Sequence, residues 1–362
     1  MSRLTSNVIF KGGLSIMKAV VKYDNVDGAT ELREVPIPEI GPDDVLVKVA
    51  YIGICGSDPH MHHNKVTYKV NVPLILGHEF SGTIEKIGEN VKGYQIGDRV
   101  TAETHADYCG KCILCRTNNY HVCRERKGYG FQTDGAFAKY VRVPSRILHK
   151  VPENVSLKEA CLTEPLCVAY SSLVKHSNMK PGDLVVIIGP GPIGLLCTKV
   201  ASLIGASDII VIGTDGDEGR LEKAKELGAT LTISSSKENP VPIIMGMRDG
   251  YGADIVVDTA GFSPTLKLSM DVVRPCGQIN KIGWGPKPVD FSLDPLISKA
   301  VTVNFTFSHN WDIWEQCLVL MNKKAVDLNQ LITHELPLDK WQEGFELIES
   351  KKGLKVVLTP ID

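Results

Sequence analysis

From Met17 to about Arg142, apolar residues come in short runs broken by glycine and proline. The runs at 45–51, 80–87 and 138–143 predict strands, with turns at Gly41-Pro42, Gly93 and Gly97-Asp98. This is the texture of a mostly-β, barrel-like domain. Near Ser156 the period changes. Residues 157–175 have a helical rhythm, and Leu184-Val-Val-Ile-Ile is apolar at every position, as a strand buried on both faces must be. Helix and strand then alternate: helix 193–203, strand 209–212, helix 220–227, strands near 230–233 and at 255–257, helix 264–273, strand 278–282. That alternation predicts a doubly wound parallel sheet. Past Val303 come helices at 311–321 and 338–349 and a last strand at 356–358, a stretch expected to return and complete the first domain. The strand pattern begins at Met17, which is well placed as an initiator, so residues 1–16 are expected to be a disordered extension without chemistry.

Composition narrows the function classes. A chain of 362 residues suggests about two domains with ample core. Forty basic against 42 acidic side chains, a net charge of −2, give no electrostatic draw to nucleic acid or an anionic membrane. No apolar run reaches the roughly 18 residues of a membrane span. The N-terminal stretch carries Arg3 and Lys11 but neither an apolar core nor a small-residue cleavage site, so export is not expected. Ten cysteines, four of them read below as metal thiolates, fit a reducing cytoplasm better than a disulfide framework.

Those four are Cys109, Cys112, Cys115 and Cys123. Two-residue gaps let successive thiolates curl around one ion, and the fourth closes a tetrahedron, which suits Zn²⁺. With no open position, such a zinc holds a loop in shape and activates no water. A second, looser set offers a thiolate, an imidazole and two carboxylates: Cys55 in Cys-Gly-Ser57-Asp-Pro-His60, His78 and Glu79 in Gly-His-Glu, and Glu164 in Thr-Glu-Pro-Leu. Singly each reads as an ordinary buried or surface residue. Together they supply the three protein ligands and open position of a catalytic zinc. Gly189, Gly191 and Gly194 follow GxGxxG between an apolar strand and an apolar helix, with Pro192 and Ile193 at the helix start. That is a dinucleotide cradle: a tight turn, close backbone approach to a pyrophosphate, and a helix N-terminus facing it. Gly213 stands nearest the usual acidic position, so the ribose reader is Asp215, favouring NAD. Arg220 leaves NADP open.

Taken together, the cysteine lobe, Gly-His-Glu, the nucleotide loop and Gly97-Asp-Arg-Val resemble the zinc-dependent medium-chain dehydrogenases, the alcohol dehydrogenase superfamily. The resemblance runs from Met17 to the C-terminus. It implies an α/β chain with a GroES-like, mostly-β catalytic domain split between 17–168 and 304–362, and a Rossmann domain inserted at 169–303. It implies two zinc ions per chain, one structural and one catalytic. Cys55 and His78 with Glu79 or Glu164 would surround the catalytic ion, and Ser57 and His60 match the proton-relay positions. A homotetramer or homodimer is implied too. Glu164-Pro165-Leu166 looks like the polyol and butanediol dehydrogenases, whereas Glu103-Thr-His105 and Tyr120-His-Val-Cys look like threonine dehydrogenases, where a histidine at the position of His105 lies near the substrate. Cys167-Val-Ala departs from the second group, and Ser308-His309-Asn310 lacks an arginine common in the first. The expectation is an NAD-linked zinc enzyme oxidising a secondary alcohol of a small polyhydroxy substrate. L-threonine 3-dehydrogenase is the alternative, ahead of a non-catalytic nucleotide-binding relative. His62 and His63, beside His60, read as a solvated loop.

Overall fold

A computed structural model describes residues 15–285 and 287–362, so nearly all of the extension expected at 1–16 lies outside the described residues. The first strand, Ile16–Lys22, starts one residue before Met17. It pairs antiparallel with Thr30–Pro36 over its whole length.

The largest sheet has seven strands. Asp44–Gly53 lies at its centre, against Glu79–Ile87 on one side and the C-terminal strand Lys355–Thr359 on the other. The last strand therefore returns to the first domain, and parallel pairing with Ile332–Pro337 extends it. Its core is a continuous apolar cluster including Val47, Ile52, Phe80, Phe137, Val356 and Leu358.

The second sheet is six-stranded and parallel throughout, with Leu184–Ile188 inside it and buried at every position. Asp208–Gly213 lies on one side of that strand and Ala253–Asp258 on the other. Strand order reverses here, which opens a crevice at the carboxyl ends of Leu184–Ile188 and Ala253–Asp258. The outer strand, Thr302–Phe305, runs two residues past the expected domain limit at 303 and leaves one edge free among the described residues.

The rhythm at 157–175 is not one helix. It divides into Leu157–Ala160, Thr163–Tyr170 and a wider π-type turn at Ser171–Lys175. Pro165 has no N–H to offer a preceding turn, so a fresh helix begins just before it. The break puts Glu164 in that helix's first turn. His62 and His63 are not in a solvated loop either. His62 ends the helix Ser57–His62 and packs edge-on against Trp341, ring centroids 5.3 Å apart, while His63 Nδ1 lies 2.7 Å from Asp27.

Candidate active site

The cysteine lobe is compact. Sulfur–sulfur distances are 3.5 Å for Cys112–Cys115, 3.6 Å for Cys109–Cys123, 3.8 Å for Cys109–Cys115 and 3.9 Å for Cys112–Cys123. A tetrahedron with Zn–S bonds of about 2.3 Å has edges of about 3.8 Å, so the four thiols fit zinc. Backbone N–H groups of Lys111 and Cys112 push the Cys109 thiol down to about 6, towards the thiolate a metal needs.

Three members of the second set converge from two segments. Cys55 precedes the helix Ser57–His62, and His78 and Glu79 enter the strand Glu79–Ile87 through Gly77. Gly77 has φ +90°, and a Cβ there would lie 2.1 Å from the Phe137 ring, so only glycine admits this turn. Donor atoms of Cys55, His78 and Glu79 all lie within 4.8 Å of one another. Burial works against a charged His78, but Cys55 overcomes it, with help from Asp58 and Glu164, and lifts the imidazole to about 10. Anions that stabilise a cation so strongly are the surroundings a metal ion requires, and the donor set is one zinc accepts.

Both carboxylates have partners that sequence reading missed. Lys355 Nζ lies 2.6 and 2.5 Å from the two Glu79 oxygens, and both residues are buried. Room for that carboxylate comes from Gly53, where a Cβ would meet Glu79 Oε2 at 2.3 Å. Glu164 Oε1 lies 3.4 Å from His309 Nε2. Burial alone would raise the Glu164 carboxyl, but His309 and His78 hold it below the usual range. Asp58 is a third unforeseen member: its Oδ2 accepts from the Cys55 N–H at 2.8 Å, and its Oδ1 lies 3.8 Å from His78 Nδ1. It stood in the motif next to Ser57, but nothing in the spacing distinguished it from a turn aspartate.

Ser57 Oγ is buried and has no hydrogen-bond partner among the described residues, while His60, three positions along, is exposed. An aromatic wall runs out from His78. His78 lies 4.9 Å from Phe131, Phe131 5.4 Å from Tyr68, Tyr68 5.6 Å from Trp284, and Trp284 6.0 Å from Phe307, between ring centroids.

His105 is fully buried, and both ring nitrogens are engaged. Nδ1 accepts from Arg126 Nε at 2.7 Å, and an arginine can only donate. The proton therefore sits on Nε2, which donates to the His309 carbonyl at 2.8 Å. Burial, with His309 and Arg126 nearby, holds the imidazole well below its ordinary value, and so neutral. No ring nitrogen is left to face a substrate.

At the crevice of the parallel sheet the three glycines differ. Gly189 has φ +102°, and a Cβ there would lie 2.9 Å from Thr259 Oγ1. A Cβ on Gly194 would lie 1.9 Å from the Gly189 carbonyl oxygen, so the helix can approach the strand only with glycine there. Around Gly191 nothing lies within 4 Å of a Cβ, which leaves open space at the N-terminus of the helix Pro192–Ile204. Asp215 is exposed, and its backbone is fixed by Ser236 and Lys351. Arg220 donates to the Gly353 carbonyl at 2.9 Å and lies 3.8 Å from Asp217.

Two family models match this chain, an alcohol dehydrogenase GroES-like domain over residues 41–153 and a zinc-binding dehydrogenase over residues 192–323. A sorbitol dehydrogenase from Halalkalibacterium halodurans is 41% identical over 347 residues, covering 96% of this chain and 100% of that protein. An L-threonine 3-dehydrogenase from Bacillus velezensis is 38% identical over 348 residues, covering 95% and 99%. Among solved structures, a zinc-binding dehydrogenase from Sinorhizobium meliloti bound to NADP superposes with a TM-score of 0.88 at 30% identity, covering 96% of this chain and 100% of that one.

Proposed function

The chain belongs to the zinc-binding alcohol dehydrogenase family and is an oxidoreductase, and on that premise we propose that it oxidises a secondary hydroxyl of a small polyol with NAD. The observation that carries this reading is the convergence of Cys55, His78 and Glu79, with Glu164 beside them, next to the unpartnered Ser57 hydroxyl. Its similarity to a sorbitol dehydrogenase, the higher of the two sequence identities above, favours polyols over threonine.

Cys55, His78 and Glu79 are the residues whose donor atoms meet, and they would hold the catalytic zinc, with Glu164 as the adjoining carboxylate. Zinc supplies Lewis acidity that makes a substrate hydroxyl easier to deprotonate, and the nicotinamide supplies the hydride acceptor. The protein's own part is positional. Asp58 fixes the Cys55 backbone and puts its second oxygen 3.8 Å from His78 Nδ1. Ser57 Oγ takes the substrate proton as it passes its own on towards His60. His60, one helical turn further and open to water, releases it. Gly191 and the helix N-terminus receive the pyrophosphate, and Asp215 accepts from the ribose hydroxyls.

The free edge of Thr302–Phe305, with Phe305 75% exposed, supports assembly as a dimer or tetramer through that strand. Ten unpaired cysteines support a cytoplasmic setting, and no helix among the described residues is long and apolar enough to cross a membrane.

A screen of zinc-loaded protein with NAD against sorbitol, xylitol, inositols, 2,3-butanediol, threonine and sugar acids tests the reading. NADH formation with polyols above threonine is the expected result. Turnover of threonine alone would overturn the substrate class.

A further inference from the structure

We propose that Arg126 binds an oxyanion, a carboxylate or a phosphate, at the end of the polyol chain away from the carbon that loses hydride. The inference rests on the polyol reading above and narrows it to an anionic polyol.

Arg126 is half-buried. Its guanidinium lies over the Phe307 ring, 5.2 Å from the centroid, at the end of the aromatic wall that starts at His78. Its Nε is committed to His105, which is itself locked by the His309 carbonyl, so the orientation of the fork is fixed from behind. Holding His105 takes one N–H. The two terminal nitrogens have no hydrogen-bond or carboxylate partner among the described residues, yet they are not sealed from solvent. The carboxylate whose charge reaches Arg126 is Glu164, and that charge is shared with His309 and His78. His105, which accepts from the guanidinium, is kept neutral by burial and adds no second positive charge beside it.

A guanidinium withdrawn from water without an acidic partner is costly, and the cost is recovered when an anion meets the planar fork with two parallel N–H bonds. The terminal nitrogens keep that geometry unoccupied by any protein partner among the described residues, and carboxylate and phosphate both match it. Position comes from the zinc lobe: the Arg126 N–H donates to the Cys123 carbonyl at 3.0 Å, which ties the reader to one of the four structural thiolates. The closed lobe thus fixes a substrate-binding arginine as well as a loop.

The test compares D-sorbitol, D-gluconate and D-sorbitol 6-phosphate on zinc-loaded wild type, Arg126→Gln and Arg126→Lys with NAD. Wild type should favour an anionic member over sorbitol in kcat/KM by about 10- to 100-fold, the worth of a charge-assisted pair. That ratio should fall close to one in Arg126→Gln. In Arg126→Lys it should fall between, because the ammonium keeps the charge and loses the fork. Whichever anion shows the dependence identifies the group. Calorimetry with gluconate and sorbitol 6-phosphate on the NADH complex separates anion binding by Arg126 from polyol oxidation. If no member is oxidised but an anion binds wild type and not Arg126→Gln, the oxyanion site stands and the polyol reading fails. An anionic-to-neutral ratio and anion binding unchanged in both variants would overturn the role of Arg126.

Discussion

Lys355 and Glu79 are 276 residues apart in sequence and form a buried ion pair, the ammonium meeting both carboxylate oxygens and the Ile54 carbonyl at 2.9 Å. Burial opposes the charged lysine, but Glu79 more than offsets it and raises the Lys355 pKa above the ordinary value. The C-terminal strand therefore does more than complete a sheet, since it delivers the charge that neutralises a carboxylate beside the candidate metal.

Lys355→Met should cost about 3–5 kcal/mol in the metal-free protein, because Glu79 is left buried and unpaired. Zinc supplies a counter-charge, so the loss should be smaller in loaded protein. Thermal unfolding with and without zinc measures both. Equal losses in the two states would mean that Glu79 does not face the ion.

The two metal sites should differ in lability. The cysteine lobe is closed by four thiolates, while the site at Cys55 must stay open to substrate. Titration with a chelator, followed by metal analysis and activity, should remove one zinc with loss of turnover before the second leaves. A single zinc in fully active protein would refute the pair.

His78→Ala and Glu164→Ala should each reduce turnover by orders of magnitude while NADH binding, followed by fluorescence, survives. The cofactor cradle at Gly189–Gly194 is built on a different sheet from His78.

Asp215→Ala should erode a preference for NAD over NADP by one to two decades, mainly by weakening NAD. A carboxylate accepting from ribose hydroxyls contributes about 1.5–3 kcal/mol. Because Arg220 is tied to Gly353, Arg220→Ala should change the NADP constant little. Kinetics with both cofactors decide this.

Acid should destabilise the fold through His105. Its folded pKa is depressed, so the stability it contributes is full above about 6.5 and is lost as pH falls towards the lower folded value. Melting curves between pH 7.5 and 5 should show a smaller drop for His105→Gln than for wild type.

Much of this was legible in sequence because the informative signals were local. Cysteine gaps, Gly-His-Glu and GxGxxG are short-range patterns, and each carries its own geometric reason. The partners were not legible. Lys355 meets Glu79, His309 meets Glu164 and Arg126 meets His105 only because distant segments fold together, and none has a spacing that announces it. The helix break before Pro165 was readable in principle, but an apolar rhythm on both sides concealed it. Short strands such as Arg99–Ala102 and Leu148–Lys150 have too few residues for a period to emerge.

The zinc-dependent polyol chemistry proposed for this chain places its catalytic ion on Cys55 and His78. The most direct test follows NADH formation from polyols by the intact protein, after stripping its labile metal and after restoring zinc. Turnover should disappear with the metal and return with zinc in wild type, but should not return in His78→Ala. Polyol turnover that persists in metal-stripped protein, or in His78→Ala, would contradict it.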